Sequence, residues 1–190
     1  ALVFQDTATP AIETTGATLN CLQTQVTLSA SSPNPNAIFA WSDANGIISN
    51  EPTVTVSEAG GYTVTATDTI NGCTSSQIVL VVLDTVLPIA DAGSGFNLDC
   101  NVTEGQLDGL GSSQGNAFTY AWTTTNGNIT ANADGLNPTV DAPGPYTLTV
   151  TNTANGCSAT AEVAVTQTTT ITADVTTSDA TCFGDANGSA

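Results

Sequence analysis

Cysteine and acidic side chains are the groups of this 190-residue chain that could do chemistry. It has five cysteines and 17 acidic residues, but no lysine, arginine or histidine. Nucleophilic catalysis needs a neighbouring base, and neither histidine nor lysine is there to act as one. The spacing of the carboxylates singles out no pair for glycoside hydrolysis. We therefore expect that the chain is not an enzyme.

Four sequence landmarks occur twice in the same order, which indicates two homologous repeats of about 80 residues each. They are an early cysteine, a tryptophan, a tyrosine and an Asn-Gly-Cys segment, found at Cys21, Trp41, Tyr62 and Cys73 and again at Cys100, Trp122, Tyr146 and Cys157. The segments that precede the repeats also match, because 6–13 resembles 84–91.

The cysteines favour disulfide bonds over a metal centre. The sequence has no Cys-x-x-Cys motif and no histidine, which are the usual ligands of structural zinc. Four cysteines allow three connectivities, so the repeat decides between them. Pairing within each repeat predicts the bonds Cys21–Cys73 and Cys100–Cys157, and it leaves Cys182 unpaired in this segment.

Carboxylates flank both linker segments, and calcium takes six to eight such oxygens with tolerant geometry. No cofactor is required by the sequence, but calcium is a candidate there. The candidate ligands are Asp6, Glu13, Asp68, Asp84 and Asp91. The alternative is that these acids simply form a solvated surface that prevents aggregation.

The formal net charge of −17 excludes two classes of partner. Nothing in the chain neutralises phosphate, so we expect no binding to nucleic acid or to anionic membrane surfaces. A membrane helix needs an apolar run of about 18 residues, and no run in the chain is close to that length. We therefore expect no direct membrane insertion.

Short strands with alternating apolar and polar residues should position these groups. The alternation is clear in segments 62–67 and 146–151, where threonine alternates with small or branched apolar residues. The Asn-Gly pairs at 71–72 and 155–156 should each close a hairpin, because Asn-Gly tolerates positive φ at both turn positions. A core tryptophan and a tyrosine that opens the sixth strand fit an immunoglobulin-like sandwich.

The predicted fold class is therefore all-β, with tandem immunoglobulin-like sandwiches in line. We expect a linker from a preceding repeat at 1–10, a first domain at 11–84, a linker at 85–88 and a second domain at 89–167. Residues 168–190 should open a third, incomplete repeat.

Several motifs resemble known surface repeats. The segments Ala90-Asp91-Ala92-Gly93, Tyr120-Ala121-Trp122 and Gly144-Pro145-Tyr146, with Asn155-Gly156-Cys157, resemble PKD-like and related immunoglobulin-like repeats. The tail from Ala180 to Ala190 resembles the opening of the repeat found in SprB-type gliding adhesins of Bacteroidetes. The Trp-Asp-Phe-Gly-Asp-Gly turn of PKD repeats is absent.

The resemblance implies a segment of a large adhesin exported by the type IX system to the bacterial cell surface. Such a segment would act as a structural stalk or filament, with neighbouring repeats or fibre subunits as its partners. Two alternatives stay open: a glycan- or protein-binding module, and a self-assembling fibre subunit that uses strand addition. The resemblance also implies O-glycosylation at three Asp-Thr motifs, with Thr7, Thr69 and Thr85 as acceptors.

Overall fold

The computed structural model describes residues 6–168, which form two β-sandwiches and no helix. The first sandwich contains eight strands: β1 (Glu13–Thr14), β2 (Ala17–Asn20), β3 (Val26–Ser31), β4 (Ala37–Asp43), β5 (Gly46–Ser49), β6 (Thr53–Val56), β7 (Gly60–Asp68) and β8 (Thr74–Asp84). The second contains seven: β9 (Asn97–Leu98), β10 (Gly105–Gln106), β11 (Phe118–Thr124), β12 (Ile129–Ala131), β13 (Thr139–Val140), β14 (Gly144–Asn152) and β15 (Ser158–Gln167). The predicted all-β fold class is confirmed, and since no helix occurs in 6–168, none there could span a bilayer.

Each sandwich packs a small sheet against a larger one. In the first, the sheet β1-β3-β6 faces the sheet β2-β8-β7-β4-β5. In the second, β10-β13-β12 faces β11-β14-β15-β9. The two sandwiches have separate apolar cores, which is the layered arrangement of an immunoglobulin-like domain.

Alternation along the strands builds these cores. In β7 the side chains of Tyr62, Val64 and Ala66 point inward, and the threonines between them are partly exposed. Because successive side chains of a strand point to opposite faces, this pattern fixes which face is buried. Trp41 and Trp122 lie in the two cores at equivalent strands, β4 and β11, as predicted.

Both tyrosines form a tyrosine corner, a hallmark of this class of sandwich. The Tyr62 hydroxyl donates to the carbonyl of Glu58 at 2.9 Å, and the Tyr146 hydroxyl donates to the carbonyl of Ala142 at 2.6 Å. Burial raises the pKa of Tyr62, and the nearby carboxylates of Glu58 and Asp43 raise it further. The tyrosines therefore have a structural role in closing each sandwich.

The Asn-Gly pairs lie in the hairpins β7-β8 and β14-β15, as predicted, but the expected reason is wrong. The loops cover 69–73 and 153–157, which is longer than a two-residue turn. Only the glycines have positive φ, 73° at Gly72 and 72° at Gly156. The asparagines have another function, which is described below.

One strand in each sandwich pairs in parallel with the last strand. In the first, β2 runs parallel to β8, with Asn20 opposite Asp84. In the second, β9 runs parallel to β15, with Leu98 opposite Gln167. We call the two ends of a sandwich, where its strands begin and end, its poles. Each early cysteine follows one of these parallel strands, so it lies at the pole where the last strand ends.

Candidate functional site

The two sandwiches are joined by a disulfide bond between Cys21 and Cys157, which are 136 residues apart in sequence. Their Cα atoms are 5.0 Å apart, within the usual range for disulfides. The predicted bonds Cys21–Cys73 and Cys100–Cys157 are therefore wrong in the structure. Cys73 and Cys100 are both free thiols, and Cys182 lies outside the described residues.

The parallel strands explain why the bonds within each repeat do not form. Cys21 follows β2 at the end of β8, whereas Cys73 precedes the first residue of β8, Thr74. The eleven residues of β8 span about 33 Å from one pole to the other. Disulfides need Cα atoms within about 7 Å, so Cys21 cannot reach Cys73. The parallel pair β9-β15 separates Cys100 from Cys157 in the same way.

Asn155 is the polar centre of the joint and is only 1% exposed. Its side-chain Nδ2 donates to the Asp84 carboxylate at 2.9 Å and to the Val86 carbonyl at 3.0 Å. Its Oδ1 accepts from the amide of Cys157 at 3.0 Å, and its carbonyl accepts from the amide of Cys21 at 3.1 Å. One residue therefore ties the first sandwich, the linker and the second sandwich together.

An apolar contact lies beside the disulfide. A Cβ atom added at Gly156 would be 2.0 Å from the Cγ atom of Leu22, so a larger residue there would have to displace this side chain, which is 76% exposed. Gly156 also has φ of 72°, which glycine adopts at no steric cost. The joint thus combines a covalent bond, buried hydrogen bonds and one apolar contact.

The first sandwich carries a second copy of this turn at its opposite pole. The Asn71 side chain donates to the carbonyl of Ala8 at 3.0 Å and accepts from the amide of Cys73 at 2.8 Å. Ala8 matches Val86 in the repeated linker, so the linker residues sit on the two turns in the same manner. The hydrogen-bonding role of Asn71 and Asn155 was missed by sequence reasoning, although their recurrence before Gly-Cys was a visible signal.

The second sandwich likewise carries a second copy of the Cys21 loop. In the bonded loop, Asn20 Oδ1 accepts from the amides of Leu22 at 3.0 Å and Gln23 at 2.7 Å. In the free loop, Asp99 Oδ1 accepts from the two equivalent amides, at 2.7 and 2.8 Å. These amide donors hold the pKa of Asp99 below its ordinary value. Cys100 is exposed in this loop.

The structure gives calcium no convincing ligand set. Within residues 6–168, no three or more Asp, Glu, Cys or His side chains are grouped so that they could hold a metal ion. Asp68 and Asp84 accept hydrogen bonds from Asn34 and Asn155, and Asp6 and Asp91 each cap a local backbone amide. Glu13 is exposed on β1. These five carboxylates have local structural partners or face solvent.

The three threonines predicted to carry glycans differ in their surroundings. All three are exposed. The Thr69 hydroxyl donates to the carbonyl of Asn36 at 3.0 Å, which restrains it. Thr7 and Thr85 occupy matching positions in the two linkers. O-glycosylation stays a prediction, and intact mass would reveal it as a sugar-sized increment.

No protein-family model matches the chain, and no curated protein matches it. Solved structures that match the chain include tandem domain proteins. Three N-terminal domains of the highly immunogenic outer capsid protein of bacteriophage RB49 match with a TM-score of 0.48 and 17% identity, covering 84% of this chain and 58% of that one. Immunoglobulin domains 1–4 of Sidekick-1 match at 0.42 and 11%, covering 84% and 48%.

A third match is the N-terminal two-domain immunoglobulin module of the Drosophila receptor tyrosine phosphatase DLAR, at a TM-score of 0.33 and 8% identity, covering 85% of this chain and all of that one. The chain spans less than two thirds of the length of the first two proteins. The strands, cores and tyrosine corners define the class: this chain is a tandem of immunoglobulin-like sandwiches joined by one disulfide.

Proposed function

We propose that the chain is a structural stalk segment of a secreted bacterial surface adhesin. The observation that carries this proposal is the bond Cys21–Cys157, which locks two sandwiches together at facing poles. A catalytic or ligand-binding role would need a cleft or a cluster of reactive groups. A joint with a covalent bond, a buried asparagine and a close apolar contact instead serves to hold two domains in a fixed arrangement.

The disulfide changes how the chain would bear a pulling force. Force applied at the two ends enters through the segment before Cys21 and leaves through the segment after Cys157. The 136-residue separation between the two cysteines is bypassed by one covalent bond. Strands β3 to β14 are therefore shielded from the force, and only β1, β2 and β15 remain in its path.

The disulfide and the composition both support an extracellular location. Disulfides persist in oxidising compartments and are rare in the cytosol of most cells. The absence of lysine and arginine also removes every site of trypsin-type cleavage. Both features suit a segment that is exposed outside the cell.

Single-molecule pulling tests this proposal. Handles are fused to both ends of the chain, and force–extension curves are recorded with and without reductant. Reduction should add about 450 Å of extension, because the 136-residue segment then becomes extensible at about 3.3 Å per residue. In the oxidised chain, only the segments before Cys21 and after Cys157 should extend.

The control for this measurement is the double variant C21S/C157S, which should give the long extension under both conditions. If the wild-type chain extends equally with and without reductant, the covalent lock does not exist and the stalk proposal loses its support.

A second candidate, a protein-binding module, is favoured by one exposed apolar row. Ile78, Leu80 and Val82 point outward from β8 and are 71%, 61% and 45% exposed. The matching positions of β15 are Glu162, Ala164 and Thr166, as the strand pairing shows. Contiguous exposed apolar residues of this kind mark interaction surfaces in many proteins.

This candidate is tested by giving the first sandwich the outer face of the second. Beads coated with the triple variant I78E/L80A/V82T should no longer adhere to a surface that retains beads coated with the wild-type chain. Equal retention of the two kinds of bead would exclude the row as a binding surface.

A further inference from the structure

The two free cysteines are the equivalents of the two bonded ones. Cys100 follows β9 as Cys21 follows β2, and Cys73 precedes β8 as Cys157 precedes β15. They lie at the two outer poles of the pair of sandwiches, and the joint lies between the inner poles. The chain therefore carries one closed joint and, at its two outer poles, the two separated halves of a second one.

Both halves already have the conformation that they adopt in the closed joint. The loop of Cys100 repeats the hydrogen bonds of the Cys21 loop, including a backbone bond from Asp99 to Val102 at 2.9 Å that matches the one from Asn20 to Gln23. The turn of Cys73 repeats the bond between Gly156 and Asn152, since the Gly72 amide donates to the Asp68 carbonyl at 2.9 Å. Neither half needs to refold before it binds.

The turn of Cys73 also has its linker in place and an open space beside it. The Ala8 carbonyl accepts a hydrogen bond from the side chain of Asn71, as the Val86 carbonyl does from the side chain of Asn155. Among residues 6–168, a Cβ atom added at Gly72 would meet nothing within 4 Å, whereas Leu22 fills this position at Gly156. The turn at Asn71-Gly72-Cys73 thus shares the linker contact and the backbone geometry of the bonded turn, and differs from it in lacking a counterpart of the bond from Asn155 to Asp84.

We propose that a second copy of this chain fills this position, with Cys100 of one copy bonded to Cys73 of the next. The two thiols lose two protons and two electrons as the S–S bond forms, and a disulfide such as oxidised glutathione accepts them and is reduced to two thiols. The copies then assemble head to tail through the joint that already links the two sandwiches. This inference deepens the proposed stalk function and rests on it.

The new joint depends more on its covalent bond than the closed joint does. Asn101 takes the place of Leu22 in the Cys100 loop, so the apolar contact with glycine is weaker. A heterologous, head-to-tail contact extends into a filament wherever its rotation does not close a ring. The length of the filament should therefore depend on the redox conditions.

A complementation experiment tests the proposal with the full chain. Every variant also carries Cys182→Ser, which removes the one cysteine outside the described residues. The parent should form a ladder of multimers in a buffer of oxidised and reduced glutathione, seen by non-reducing gel electrophoresis. C73S alone and C100S alone should stay monomeric, because each retains only one half of the joint.

An equimolar mixture of C73S and C100S should form a dimer and nothing longer, and its peptide map should contain Cys73 linked to Cys100. A mixture that stays monomeric would overturn the proposal, and so would dimers of either variant alone in equal amount. If multimers fail while reduction still lengthens the pulled chain, the joint between copies is wrong and the stalk function stands. If the pulled chain does not respond to reductant, the stalk function itself fails.

Discussion

The turn at Asn155-Gly156-Cys157 and the turn at Asn71-Gly72-Cys73 share their local geometry but differ in what lies next to them. In each, the glycine amide donates to a carbonyl four residues earlier, at 2.7 Å and 2.9 Å. The first turn is packed against another sandwich and bonded to it, whereas the second has a free thiol. The fold of a single domain therefore makes the turn, and a neighbouring domain makes it a joint.

The two asparagines show how many hydrogen bonds a neighbouring domain adds to the turn. Asn155 is buried and makes four hydrogen bonds, three of them to the linker or the first sandwich. Asn71 is partly exposed and makes one bond to its linker and one within its own turn. The same residue in the same turn thus has a local role at one pole and an interdomain role at the other.

The largest difference between the turns should appear on removing the asparagines. Asn155→Ala leaves the partly buried Asp84 carboxylate, the Val86 carbonyl and the buried Cys157 amide without a partner, which should lower the free energy of unfolding by about 2–4 kcal/mol. Asn71→Ala should cost about 1 kcal/mol, because its partners remain near water. Urea unfolding followed by the fluorescence of Trp122, in a Trp41→Phe background, measures the effect on the second sandwich.

Equal losses for the two variants, each measured in its own sandwich, would break the comparison. That result would mean that the contacts of Asn155 with Asp84 and Val86 add nothing to stability.

The glycines sharpen the comparison at a smaller scale. Gly72→Ala and Gly156→Ala both place a Cβ at positive φ, which costs about 1–2 kcal/mol in each case. Gly156→Ala must also displace Leu22, which should add about 0.5–1 kcal/mol. Urea unfolding of both variants measures the difference.

Leu22→Ala provides the matched control for this contact. In that background the extra cost at Gly156 should disappear, and the two glycine variants should become equally destabilised. An extra cost that persists without Leu22 would assign the strain to another neighbour.

The smallest effect expected is a pH dependence confined to one turn. Asp68 caps the turn of the first sandwich, and Asn152 takes the same position in the second. The amide of Ile70 and the side chain of Asn34 hold the pKa of Asp68 below its ordinary value of 3.8. Because its folded pKa is lowered, Asp68 stabilises the sandwich above 3.8 and loses this contribution as the pH falls through its folded pKa.

The variant D68N gives the first turn the residue that the second turn already has. Its midpoint urea concentration should fall less between pH 4 and pH 2 than that of the wild type. Trp41 fluorescence in a Trp122→Phe background follows the unfolding. Parallel pH profiles for the two proteins would show that Asp68 does not contribute to the acid sensitivity.

The cores of both sandwiches could be predicted from sequence because they depend on local alternation. The period-two pattern around Tyr62 and Tyr146 and the repeated Trp41 and Trp122 fix which faces are buried. The disulfide could not be predicted in this way, because alternation does not distinguish a parallel strand pair from an antiparallel one. The parallel course of β2 beside β8 moves Cys21 to the far pole, and that pairing is made between segments about 60 residues apart.

The joint asparagines were beyond sequence reasoning for a related reason. An Asn-Gly pair is a common turn signal, so by itself it predicts backbone geometry alone. The side chain of Asn155 bonds to residues about 70 positions earlier, which no local pattern reveals. The recurrence of asparagine before Gly-Cys and the matching linkers, 6–13 and 84–91, are the two sequence signals that point to a shared role.

Non-reducing peptide mapping of the intact chain tests the central claim most directly. Trypsin has no site in the chain, so digestion uses a protease that cleaves at acidic residues. The structure predicts one linked pair of peptides that contains Cys21 and Cys157, with Cys73 and Cys100 alkylated as free thiols in freshly isolated monomer. Peptides that link Cys21 to Cys73 and Cys100 to Cys157 would contradict the joint and restore the pairing within each repeat.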